Sequence, residues 1–300
     1  MLSSGTQIFT RREALKTAAL GALALPLFGC ASGCATAAPG SAAALVPFAP
    51  DAEHGLRLGV AGYTFRNLAV GESIAAMKIL RLTNAGVFKG QLNWETATPD
   101  EARAVAEKYH AAGITLTSTG VINLPNDEVK CRRAFENVRA AKVVTMLGKP
   151  DPDAIQLVEK LVKEYDQKLA IHNHGPEDKL YPSPATAFAA VKSLDARIGM
   201  CIDIGHTMRA MADPVAAIRQ YASRLYDMHM KDSVAVPGAQ KDIPVEVGAG
   251  RLDIRGTLRA LLDINYRGVV SFEYEREAVN PVTGLAESVG FVRGALAAMA

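Results

Sequence analysis

The sequence predicts an α/β fold: a single (β/α)8 TIM barrel preceded by a cleavable export signal. From about residue 56 to the C-terminus, apolar runs of strand length alternate with amphipathic stretches of helix length, the pattern of a parallel sheet covered by helices. That segment also has the ~250 residues typical of one such barrel. Finally, four apolar runs in the second half end in side chains suited to metal binding or proton transfer. These are LAIHNHG with His172 and His174, IGMCIDIGH with Asp203 and His206, YDMHMKD with His229 and Lys231, and VVSFEYE with Glu273 and Glu275. In a closed parallel barrel the carboxyl ends of all strands meet at one mouth.

Eight strands are expected at Leu58–Phe65, Val87–Leu92, Ile114–Ser118, Lys142–Met146, Leu169–His172, Ile198–Asp203, Leu225–His229 and Val269–Glu273. Helices at Pro99–Ala112, Asp127–Ala141, Asp153–Tyr165, Pro214–Tyr221 and Ile254–Ile264 each open on a Pro, Asp or similar N-terminal residue. The two longest connections, His174 to Pro184 and Asp232 to Leu252, leave the fifth and seventh strands, on the side where barrels carry substrate-covering loops. A doubly wound open sheet is the main competitor. It usually has a glycine-rich phosphate loop after its first strand, whereas Tyr63-Thr64-Phe65-Arg66 stands there.

The N-terminus precedes this domain. Thr10-Arg11-Arg12-Glu13-Ala14-Leu15-Lys16 followed by the apolar stretch Ala18 to Phe28 reads as a twin-arginine export signal within residues 1–37. The stretch is shorter than the ~20 apolar residues of a spanning helix. Two processing routes stay open. Leu27-Phe28-Gly29-Cys30 is a lipoprotein box with a bulky Phe28, which would put a lipid on Cys30, and Ala35-Thr36-Ala37 offers a cleavage site instead. Residues 38–55, rich in Ala, Pro and Gly, read as a tether, and residues 56–300 as the barrel. The expected location is the periplasm, free or as a membrane-tethered lipoprotein, with membrane contact only through Cys30. Without the leader, Cys131 and Cys201 remain; they do not make a disulfide scaffold and read as packed apolar residues. A net charge of +2, with no basic cluster interleaved with aromatics, argues against a nucleic-acid partner. The oligomeric state is left open.

Strand alternation puts His172 and His174 on one side, as it does Asp227, His229 and Lys231, and Ser271, Glu273 and Glu275. Glu273, among Val269, Val270 and Phe272, would be costly to bury alone. A cation shared with Asp203 would offset that cost, and so would an ion pair with Lys231 or Arg66. In Asp203-Ile204-Gly205-His206 a carboxylate closes the strand, Gly205 permits a sharp turn and His206 opens the next helix. Of six histidines, the four at strand ends carry the chemistry, while His54 and His110 read as surface residues.

On these residues the chain resembles the sugar isomerase and epimerase-like proteins of the xylose isomerase-like TIM-barrel superfamily. The resemblance covers about Leu56 to the end. It rests on Tyr63-Thr64-Phe65-Arg66, His172-Asn173-His174-Gly175-Pro176, Asp203-Ile204-Gly205-His206, His229-Met230-Lys231-Asp232, Gly248-Ala249-Gly250 and Ser271-Phe272-Glu273-Tyr274-Glu275. It implies one divalent ion, commonly manganese or cobalt with zinc, magnesium or iron as alternatives, held by His172, Asp203, His229 and Glu273. Two departures stand out. Epimerases of this superfamily usually carry Glu where His172 stands, and Gln91 stands where a second-strand carboxylate is common, leaving Asn93 and Trp94 as substrate contacts.

The expected chemistry is metal-dependent enolisation of a sugar or keto-sugar. Glu273 or His174 would take the proton, and His206 or Lys231 would act as acid or hydrogen-bond donor. Arg66, Trp94 and Glu275 are expected at the substrate. Isomerase or epimerase-like turnover is the first reading, and a lyase acting on 3-keto-glycosides by β-elimination the second. A non-catalytic sugar-binding barrel would keep the fold without the four ligands. The abasic-site endonucleases of the same barrel would need more ligands and a basic groove.

Overall fold

Asn137, Asp232 and Thr64 are polar residues with no chemistry of their own, yet each ties strand ends or loops into place around a ring of eight parallel strands. The computed structural model describes residues 53–235 and 242–300. The export signal, Cys30 and the tether as far as residue 52 lie outside the described residues. The ring is made of β1 (Arg57–Val60), β2 (Asn84–Val87), β3 (Thr115–Thr119), β4 (Thr145–Pro150), β5 (Lys168–His172), β6 (Ile198–Asp203), β7 (Leu225–Met230) and β8 (Val269–Phe272). Every neighbour is parallel, β1 pairs with β8, and Ser118 of β3 faces Thr145 of β4, so the sheet closes.

The covering helices are α1 (Val70–Leu80), α2 (Pro99–Ala111), α3 (Glu128–Ala140), α4 (Ile155–Tyr165), α5 (Pro184–Val191), α6 (Ile204–Arg209), α7 (Pro214–Gln220), α8 (Ile254–Asp263) and α9 (Val282–Ala297). Their starts follow from local chemistry. Pro at the first position costs no hydrogen bond there, and Thr98, Asp127, Ser183, Asp213 and Asp253 each accept a backbone N–H from the first turn. Leu, Ile, Val and aromatic side chains from both layers fill the space between ring and helices. Inside the ring lies a smaller cluster of Leu147, Ala170 and Cys201. No helix among the described residues is long and apolar enough to cross a membrane.

Four strand boundaries differ from those expected. β1 stops at Val60, and Gly62–Phe65 is a 3-10 turn, held because Thr64 donates to the Phe272 carbonyl (2.9 Å) and accepts the Tyr274 N–H (2.9 Å). β2 is Asn84–Val87, upstream of the expected run, because buried Asn84 donates to the Leu58 carbonyl (2.9 Å) and spends its polarity inside the sheet. Gln91 therefore lies beyond β2. It donates to the Leu68 carbonyl and Ser73, and accepts from Tyr109, so its role is structural. β3 breaks at Gly120-Val121 and resumes as the short strand Ile122–Leu124. β4 begins at Thr145, since Lys142 takes a left-handed conformation (φ 56°) that ends α3.

The long connection after β7 is not plain loop. Asp232–Val234 pairs antiparallel with Ile243–Val245. The buried carboxylate of Asp232 accepts four backbone N–H groups: Ser233 (2.8 Å), Gly248 (3.0 Å), Gly250 (2.9 Å) and Leu252 (3.2 Å). A side chain on Gly250 would meet that carboxylate at 2.1 Å, which accounts for glycine there. Hydrogen bonds to a charged group contribute about 1.5–3 kcal/mol each and are not additive. Asp232→Asn, which cannot accept all four, is expected to destabilise the fold by about 2 kcal/mol or more. A fall in urea midpoint at unchanged m-value checks this, and an unchanged midpoint contradicts it.

Candidate active site

Parallel register decides which side chains meet. Across β6 and β7, Asp203 is paired with His229; across β7 and β8, His229 is paired with Ser271; across β5 and β6, His172 is paired with Cys201. Glu273 follows β8 directly and its N–H is held by the Met230 carbonyl (2.9 Å). One ligand atom each from His172, Asp203, His229 and Glu273 therefore falls within 4.8 Å of the others, and all four residues are buried. His172 Nε2 lies 2.9 Å from His229 Nδ1 and 3.7 Å from Asp203 Oδ2, and His229 Nδ1 lies 3.3 Å from Glu273 Oε2.

Lys231 joins this group from the end of β7. Its Nζ is 2.9 Å from Asp203 Oδ2, 2.6 Å from Glu273 Oε2 and 2.5 Å from Glu275 Oε1. Gly205 makes room for it, since a Cβ there would meet the Lys231 side chain at 2.6 Å. Gly205 sits inside α6 and not at a left-handed turn, so close approach, not a sharp turn, is what requires it. Burial pushes the Asp203 carboxyl up to about 7 against the pull of Lys231. At Glu273 burial opposes the charge too, but Lys231 and His229 outweigh it and hold the carboxyl well below its ordinary value.

This donor set fits a divalent cation. One carboxylate oxygen each from Asp203 and Glu273 and one ring nitrogen each from His172 and His229 point into the same buried space, where a cation would offset the cost of burying them. Burial holds His172 well below its ordinary pKa, so it is a neutral ligand at pH 7. Two nitrogens and two carboxylate oxygens suit manganese, cobalt or zinc.

A cavity of about 340 Å³ opens above the cluster, lined by His172, His174, His206, His229, Glu273 and Glu275 on one side. Tyr63, Phe88, Asn93 and Trp94 face them. His206 Nδ1 is 3.0 Å from Arg209 Nη1, which in turn pairs with Glu177. The guanidinium can only donate, so His206 accepts at Nδ1 and carries its proton on Nε2. Burial, then Lys231, pushes its pKa down to about 2, and the ring is a neutral hydrogen-bond donor. His174 is also lowered, by burial, while its Nδ1 lies 3.4 Å from Asp178. Asp178 is fixed by Lys149 (2.6 Å) and by the N–H groups of Leu180 and Tyr181.

Sequence reading missed Asp178, Lys149, Arg209, Glu177 and Asn173. Only Asn173 carried a signal: alternation turns it away from the site when His172 and His174 face in. There it accepts the Asp203 N–H (3.0 Å) and donates to Thr207 (3.2 Å), locking the β6 tip. Two expected substrate contacts have other work. The Arg66 guanidinium is spent on the carbonyls of Tyr63 and Glu275 (3.0 Å each), and Arg66 does not line the cavity. Trp94 is 2 % exposed and gives its indole N–H to the Val87 carbonyl (2.9 Å), so it forms cavity wall with little face free for stacking.

Residues 153–295 match the family model of the xylose isomerase-like TIM barrel. Among solved structures the chain is similar to an uncharacterised protein from Parabacteroides distasonis (22 % identity, TM-score 0.61, 80 % of this chain and 99 % of that one). It is also similar to 3-keto-D-glucoside 4-epimerase from E. coli (14 %, TM-score 0.61, 80 % and 99 %). A third is the IolI protein with a bound zinc (15 %, TM-score 0.66, 81 % and 99 %). No curated protein sequence matches this chain.

Removing one ligand of a metal centre costs more than the 10–100-fold lost with an outlying partner. Asp203→Asn is expected to weaken Mn²⁺ binding by at least about 10-fold in calorimetry, and Arg66→Ala to leave it unchanged. Equal affinities for Asp203→Asn and the parent contradict the ligand assignment.

Proposed function

We propose that this xylose isomerase-like barrel is a divalent-metal-dependent enzyme that enolises a sugar or keto-sugar, with isomerase or epimerase-like turnover. The observation that carries the reading is the buried His172, Asp203, His229 and Glu273 cluster under a cavity also lined by two neutral imidazoles. The similarity to a 3-keto-D-glucoside epimerase and to a zinc-bound barrel supports it. His172, Asp203, His229 and Glu273 would hold the ion, manganese or cobalt by preference. When bound, it polarises a substrate carbonyl and stabilises developing negative charge by several kcal/mol.

The chain's own groups supply the proton chemistry. Glu273, ionised and lining the cavity, accepts the proton alpha to the carbonyl, and His174, kept neutral by burial, is the second base. His206 offers its Nε2–H to an oxygen of the substrate. Lys231 holds Glu273 and Glu275 in place and carries an ammonium that can protonate an oxygen, and Lys89 lines the cavity itself. Tyr63 and Phe88, packed edge to face at 5.0 Å, form an apolar wall that excludes water on the opposite side.

A second reading is favoured by His172, which stands where the resembled epimerases use a second glutamate. With a single carboxylate base, the electrons freed by proton removal can form a C=C bond and expel the β-oxygen of a 3-keto-glycoside. The departing oxygen then takes a proton from the Lys231 ammonium, with neutral His206 donating a hydrogen bond to it through Nε2–H. The twin-arginine reading of the leader puts this chemistry in the periplasm, where unphosphorylated sugars and glycosides are the available substrates.

Incubating Mn²⁺-loaded protein with simple and 3-keto sugars in deuterated water separates the outcomes. Deuterium at the alpha carbon without aglycone release is the result expected for an isomerase or epimerase, and release marks the lyase. Both should vanish with chelator and return with Mn²⁺. Absence of exchange and of release across the panel, with metal bound, sinks the proposal.

A further inference from the structure

Cys201 takes no part in the chemistry above, yet it sits directly beneath it. On β6 it is two residues before Asp203, so its side chain points into the ring one layer lower. Register sets it beside His172 on β5 and Asp227 on β7, and His229 is the next inward residue after Asp227. Cys201 Sγ and one ring nitrogen from each of His172 and His229 lie within 4.8 Å of one another. All three residues are buried, with exposures of 0, 2 and 4 %. Leu147 and Ala170 pack against the thiol, and the buried Asp227 carboxylate beside it accepts from Ser271 (3.3 Å) and the Met228 N–H (3.0 Å).

We infer that Cys201, His172 and His229 form a second donor set, specific for thiophilic metal ions, that shares both imidazoles with the carboxylate-bearing set and so cannot be filled at the same time. The two sets differ in softness. Two carboxylates and two imidazoles accept hard and borderline ions, whereas a thiolate with two imidazoles selects soft ions such as cadmium or copper(I). Binding forms a metal–sulfur bond and breaks the S–H bond, and the proton passes to bulk water. No oxidant or reductant is involved. A metal ion coordinating a thiol deprotonates it outright. A soft ion bound here takes His172 and His229 away from the ligand set that faces the cavity.

The inference goes beyond the proposed reaction and is read without it. The folded chain, with the leader cysteines removed by Cys30→Ser and Cys34→Ser as the parent, is titrated with Cd²⁺ while the ultraviolet thiolate-to-cadmium charge-transfer band is followed. One equivalent of band is expected in the parent and in Cys131→Ser, with loss of that equivalent in Cys201→Ser and Cys201→Val. Excess Mn²⁺ should suppress the band in the parent by competing for the two imidazoles. A missing band in the parent, its loss in Cys131→Ser, or its persistence in a folded Cys201 variant overturns the inference. If both Cys201 variants fail to fold, the parent competition decides, and a band that Mn²⁺ leaves undiminished overturns it.

Discussion

Three carboxylates converging on one buried ammonium is the constraint around which this protein is built. Asp203, Glu273 and Glu275 all reach Lys231 within 2.9 Å; Asp203 and Glu273 are buried, and Glu275 is half-buried at the cavity. Such charge is tolerated only where geometry is firm and further partners share it, since attraction inside a protein repays desolvation only when the groups cannot drift apart. The surroundings serve that end. Gly205 clears space for the lysine stem, the second oxygen of Asp203 caps α6 through the His206 N–H (2.8 Å), and Asn173 and Thr207 fasten the backbone of the same strand tip.

Ring closure turns these local ties into a site. The strands that bear His172, Asp203, His229 and Glu273 are consecutive, so their tips are neighbours by backbone pairing before any side chain interacts. The far wall depends on longer links. Thr64 bridges the turn after β1 to the residues that follow β8, Arg66 clamps Tyr63 to Glu275, and Asp232 gathers the loop of Gly248 and Gly250 beside β7. These ties fix the walls of the mouth to the strands on either side of it.

The eight-strand ring and the gathering of imidazoles and carboxylates at strand ends were legible because both rest on short-range patterns, apolar runs at strand length and alternation that carries a side chain inward, whereas the choice of His172, Asp203, His229 and Glu273 among them came from the family resemblance. Legibility fell where one hydrogen bond outweighs hydrophobicity. Thr83-Asn84-Ala85-Gly86 is too polar to read as strand, but Asn84 finds its partner on β1, while Phe88 to Leu92, the more apolar run, turns away. Trp94 and Arg66 carried a signal of residue type alone. An indole or a guanidinium suits a substrate as well as a carbonyl, and the nearest carbonyls, on Val87, Tyr63 and Glu275, come together only in the folded chain.

By itself, the sequence determined that this chain forms a β/α barrel and that imidazoles and carboxylates gather at one of its ends, because strand length and side-chain alternation are properties of neighbouring residues. Among the described residues, Cys131 and Cys201 are separate buried thiols. Tertiary structure alone decided that Lys231 touches three carboxylates, that Arg209 sets the tautomer of His206, that Asp178 stands behind His174, and that Cys201 lies under the two imidazoles. Those contacts depend on inter-strand register and on loops closing over tens of residues, which spacing along the chain does not encode.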